Sequence, residues 1–135
     1  MGHGAGRRGA AGTWARRIIE RIAWGLLGLI HVLPALALFR PALLTRLYGV
    51  AAGETAFTLL HHRAALFLVI VLICGWAIVD PAVRRLAVVA VAISMISFLL
   101  LYAMAGRPAA LRSIAVADLI GLAPLAVVAW FAWRS

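Results

Sequence analysis

The sequence predicts an all-α integral membrane protein, a bundle of four transmembrane helices, and three observations carry that expectation. Hydrophobic residues make up 66% of the chain and charged residues 13%, with a mean hydropathy of +1.07, a balance outside the range of soluble domains. The apolar runs have no polar side, which suits a helix solvated by lipid and not one half exposed to water. Charges gather where those runs end. The remainder, a tail, one loop of about twenty residues and two short connections, is too small for a separate soluble core.

Span one is read at about 22–39, between Arg21 and Arg40, about long enough to cross the hydrocarbon at roughly 1.5 Å per residue. Its basic flank and Ala35-Leu36-Ala37 also fit a cleavable signal, but the long apolar run and Pro34 favour a retained helix. Span two is read at about 59–79, with a helix start near Thr55 or Leu59 that carries His61, His62 and Arg63 into the membrane. Asp80-Pro81 ends it, since the residue before proline avoids helical geometry. Span three, about 86–105, stops at Gly106 and Pro108, and span four, about 114–133, contains a single acid, Asp118. Residues 1–12 read as a flexible basic tail, and 13–21 as a short interfacial helix, since Trp14, Ile18 and Ile22 share one face. In the first loop Pro41 marks a helix start and Gly49 its stop, predicting a short helix on the outer surface.

An even number of spans puts both termini on one side. With that side cytoplasmic, the inner face holds Arg7, Arg8, Arg16, Arg17, Arg21, Arg84, Arg85 and Arg134, and the outer face the other five arginines, as the positive-inside rule asks. Trp24, Trp76, Trp130 and Trp133 all fall at the inner level, where interfacial tryptophan is expected. The absence of Lys, Asn and Gln, with abundant Ala, Gly and Arg, points to a GC-rich bacterial genome, hence to a bacterial inner membrane. The formal charge of +9 is spread over helix ends and does not form a nucleic-acid surface. The lone Cys74 excludes an internal disulfide and a Cys-x-x-Cys redox centre.

Polar groups inside a membrane are costly, and only those at like depth can meet. His62, Arg63, Tyr102 and Asp118 all lie roughly 8 to 10 Å to the outer side of the midplane, counting about 1.5 Å per residue from each span's centre. An Arg63–Asp118 ion pair, hydrogen-bonded by Tyr102 and one histidine, is the expectation. Two readings of this cluster stand open: a structural clasp that fixes register, or the floor of a pocket for an anionic or hydroxylated head group. His61, Glu54 and Arg112 lie nearer the outer surface as secondary candidates. His31, near the midplane, is placed to hydrogen-bond at the kink that Pro34 makes. A haem between His31 and His62 is disfavoured by about 12 Å of depth, and His61 and His62 point about 100° apart, so neither a metal nor a cofactor is expected.

The pieces Leu47-Tyr48-Gly49, Leu59-Leu60-His61-His62-Arg63-Ala64-Ala65-Leu66-Phe67, Ser94-Met95-Ile96-Ser97-Phe98 and Ala117-Asp118-Leu119 resemble small uncharacterised four-helix inner-membrane proteins of Gram-negative bacteria, loosely similar to DoxX-type proteins in architecture. Some of those proteins bear the name phosphopantetheine adenylyltransferase, which this sequence contradicts: that enzyme is a soluble α/β protein with a His-x-Gly-His motif. The resemblance implies the four-span fold and no chemistry. The functional expectation is a non-enzymatic module that binds a lipid or quinone head group or serves as an accessory subunit. Its partners would be membrane lipids, a quinone, another membrane protein or a second copy of the chain. The alternative is a small proton-coupled transporter resembling the four-helix multidrug exporters, with Asp118 in place of their first-helix glutamate.

Overall fold

The computed structural model describes residues 5–134, with side chains from residue 12 onward. It consists of five α-helices, α1 (Ala5–Leu36), α2 (Ala42–Tyr48), α3 (Thr55–Val79), α4 (Arg84–Met104) and α5 (Arg112–Arg134), with single 3-10 turns at Pro81–Val83 and Ala109–Leu111. Four of these helices are long and apolar enough to cross a membrane, and each overlaps one of the four runs read from the sequence. Residues 1–4 of the expected tail lie outside the described residues. From Ala5 on there is no break: the segment read as a separate interfacial helix at 13–21 and span one form a single helix.

The helix ends follow local chemistry. Pro34 has no N–H for the carbonyl of Ile30, and beyond it the chain tightens into bonds from Ala37 to Pro34, Leu38 to Ala35 and Phe39 to Leu36. The helix therefore closes at Leu36, three residues short of the expected end of span one. In α2, Pro41 precedes the first turn and Gly49, at φ 68°, closes the last by donating to Thr45 O. Asp80 leaves helical geometry before Pro81 and accepts a hydrogen bond from Ala82 N at 2.9 Å. The α4–α5 hairpin turns through Gly106 and Arg107, both at positive φ.

Around the bundle the helices follow the order α3, α1, α5, α4. The α1 helix lies along both α3 and α5, and α4 lies along α5, while α3 and α4 touch sparingly despite being consecutive. Small residues permit the close approaches: a Cβ on Gly28 would lie 3.5 Å from Cys74, and one on Gly121 would collide with Met95 and Ile30. A continuous apolar core fills the half of the bundle nearest the termini, built on Trp24, Leu27, Cys74, Val91, Met95 and Val128. At the opposite end α2 folds down as a cap, with Leu44 fully buried beside Ala37 and Ala64.

The terminal end is also locked by polar contacts. Glu20 is buried and meets Arg84 Nη1 at 3.0 Å, while Arg84 Nε donates to Ala77 O at 2.9 Å. Arg85 Nε donates to Ala132 O at 3.0 Å and Arg16 Nη2 to Phe131 O at 3.4 Å. Three arginines thus satisfy carbonyls in the last turns of α3 and α5, groups that a helix end leaves without partners. Trp24, expected at the interface, is instead enclosed in the core with its Nε1 unpartnered, whereas Trp76, Trp130 and Trp133 remain exposed at this level. The contact of α1 with both α3 and α5 turns Trp24 inward.

Removing one member of a buried ion pair strands the other charge. Glu20→Ala is expected to destabilise the protein by about 3–5 kcal/mol, and Glu20→Met combined with Arg84→Met by less, as read by unfolding in mixed micelles.

Candidate functional site

The polar residues of the capped half divide between two sides of the bundle. Arg63, on α3, points into the seam with α4. Its guanidinium lies 5.0 Å from the ring centre of Phe67 and 5.4 Å from that of Phe98. Two aromatic faces on one cation substitute for lost hydration, each worth about 0.5–2 kcal/mol depending on exposure. Tyr102 stacks against Phe98, with centroids 6.2 Å apart at 22°. Asp118, on α5, is buried and faces α1 in place of α4, beside His31. The expected Arg63–Asp118 salt bridge is therefore absent, as is a hydrogen bond from Tyr102; among the described residues the one salt bridge is Arg84–Glu20. The two side chains leave their helices toward different neighbours.

α3 and α4 touch sparingly, and the seam between them opens into a cavity of about 640 Å³. Leu66, Ile70 and Ile73 line it on α3, with Ala90, Ile93 and Leu101 on α4; Arg63 and Tyr102 stand at its capped end, and Ser94 and Ser97 lie along its wall. Ser97 is spent on its own helix, donating to Ile93 O. The result is a long apolar groove with a cation and a phenol at one end.

The second cavity, about 130 Å³, lies between α1 and α5 and is lined by His31 and Asp118, with Leu47 of α2 and Ser113 toward the capped end. Phe67 lines both cavities and so forms the wall between them. His31 Nδ1 donates to Leu27 O at 2.8 Å, one turn toward the termini and not to the carbonyl that Pro34 frees. Its ring centre lies 5.8 Å from that of Phe67.

The remaining candidates are peripheral. His61 donates through Nε2 to Leu38 O at 2.9 Å, tying the turn after α1 to α3. His62 is exposed and faces neither cavity. Glu54 precedes α3 and accepts from Ala51 N at 3.1 Å, and Arg112 is exposed at the start of α5. Among the described residues no three His, Cys, Asp or Glu side chains gather to hold a metal ion.

Three residues outside the expected cluster complete the site. Phe67 and Phe98 carry the cation, and Tyr48 of the α2 cap lies close enough to feel both Arg63 and Asp118. The aromatic positions on α3 and α4 one turn from polar ones were the available signal for the first two; Tyr48 had none, because its approach depends on how α2 folds back. Burial raises the Tyr48 phenol above its ordinary value of 10.0, Arg63 pulls it down and Asp118 pushes it up. A phenol held neutral in the folded state stabilises the fold below pH 10, and that contribution is lost as pH rises through the raised value. Tyr48→Phe is expected to remove this alkaline loss of stability, and one late phenolate step from the ultraviolet titration.

Compared with family models, with curated proteins and with solved structures, the chain gave no match.

Proposed function

We propose that the protein is a non-enzymatic membrane module that holds an amphiphile, a lipid or quinone, in the α3–α4 groove. The single observation that carries the reading is the groove itself: about 640 Å³, apolar along its length, with Arg63 and Tyr102 at one end. That layout matches an anionic or hydroxylated head attached to an apolar tail. In a bilayer the tail gains little by leaving other tails, since lipid is as apolar as the groove wall. Selectivity therefore falls to the head group, and a charge-assisted hydrogen bond from Arg63 is the strongest contact on offer. The arginines at the terminal end support a cytoplasmic placement of both termini, which puts Arg63 and the α2 cap in the outer leaflet of a bacterial inner membrane.

The test is mass spectrometry of the lipids and quinones retained after gentle purification, set against the bulk extract. The groove occupant is expected to be enriched in the wild type, and Arg63→Ala to reduce that enrichment about tenfold, the effect of losing a hydrogen bond to a charged group. Arg107→Ala, in the exposed α4–α5 turn, is expected to leave it unchanged. A retained pool identical to the bulk extract contradicts the proposal.

A further inference from the structure

We infer that the chamber between α1 and α5 is a hydrated proton-binding site in which His31 and Asp118 share one exchangeable proton. This site is separate from the amphiphile groove and does not depend on its occupant.

The two groups come from different helices and line one cavity of about 130 Å³, room for several waters. His31 is 2% exposed and Asp118 8%. With Nδ1–H committed to Leu27 O, Nε2 is the only ring nitrogen left to face the chamber, and in the neutral tautomer it is an acceptor. The Asp118 carboxylate is an acceptor as well. Among the described residues the sole fully enclosed side-chain polar atom without a partner is Trp24 Nε1, so the carboxyl oxygens and Nε2 retain some open space, and the chamber is the cavity that both residues line. Two acceptors with only the Ser113 hydroxyl as a lining side-chain donor require hydrogens from outside the protein, which water and a proton supply.

Two further elements bring a charged or titratable group near the chamber. From α3, Arg63 acts on Asp118 from beyond Phe67, and from α2, Tyr48 stands within reach of both charges. The α4 helix presents no titratable group to the chamber, and α5 none besides Asp118. In the loaded state a hydronium gives its proton to an Asp118 oxygen or to His31 Nε2 and leaves as water. Toward the termini, the closed core of Leu27, Cys74 and Met95 bars water, so the proton enters past Leu47 and Ser113, from the capped end.

The full-length protein in nanodiscs is titrated by infrared difference spectroscopy, following the protonated carboxyl stretch that Asp118→Asn abolishes. In the wild type this band is expected to grow in two steps, the sign of two coupled sites, and to shift within minutes of transfer to heavy water. In His31→Gln the two steps are expected to merge into one. Leu47→Trp, which fills the chamber and leaves both groups in place, is expected to slow the heavy-water shift and to remove the two-step form, and serves also if His31→Gln does not fold. A wild-type band that rises in the same single step as in His31→Gln, that ignores pH, or that resists heavy water overturns the inference.

Discussion

The Glu20–Arg84 pair and the arginine caps around it fix one end of this bundle, and the open architecture of the other end depends on that. Helices dissolved in lipid gain nothing by hiding apolar surface from each other. They are held by close packing of small residues and by the few polar contacts that lipid cannot replace. Arg84 serves three helices at once: it begins α4, reaches Glu20 on α1 and takes the Ala77 carbonyl of α3. Arg85 and Arg16 do the same for the last turn of α5. With the terminal end pinned, α3 and α4 are free to separate toward the capped end without loosening the fold. A groove wide enough for a lipid chain is compatible with a stable bundle only because the polar fastening lies elsewhere.

Two cavities of different chemistry lie on either side of Phe67. On the α4 side of Phe67 lies an apolar groove with a cation at its end; on the α1 side lies a small chamber of acceptors. Phe67 touches both and carries Arg63 on its face. The guanidinium is thus held away from the Asp118 carboxylate, which keeps its remaining hydrogen-bonding capacity for the chamber. A salt bridge between them would have spent both groups on each other and left neither cavity with a functional polar end.

Much of the fold was legible in the sequence because lipid imposes a simple rule: uncharged runs of sufficient length are spans, and Asp80-Pro81 and Gly106 with Pro108 mark where they stop. The α2 helix was equally legible from Pro41 and Gly49. The candidate site was legible in part from rise per residue, which put Arg63 and Tyr102 within reach of each other, and both stand at one end of the same groove. Azimuth was not. The order of helices around the bundle is set by which small residues meet, Gly28 with Cys74 and Gly121 with Met95 and Ile30, and one sequence does not state those pairings. That order turns Arg63 toward α4 and Asp118 toward α1, and it brings His31 into the chamber in place of His62. Glu20 escaped notice for a related reason: the residues around it read as a surface helix, whereas the continuity of α1 carries them into the bundle.

The central claim is that the α3–α4 seam is an open groove filled by an amphiphile. Its most direct test is a photoreactive side chain at Ile93, inside the groove, compared with one at Leu119, which faces outward on α5, both in native-lipid nanodiscs. The account predicts that irradiation at Ile93 yields adducts of one lipid or quinone class, above the mixed background at Leu119. Cross-links from Ile93 to α3 or to a second copy of the chain, or adducts indistinguishable from those at Leu119, would contradict it.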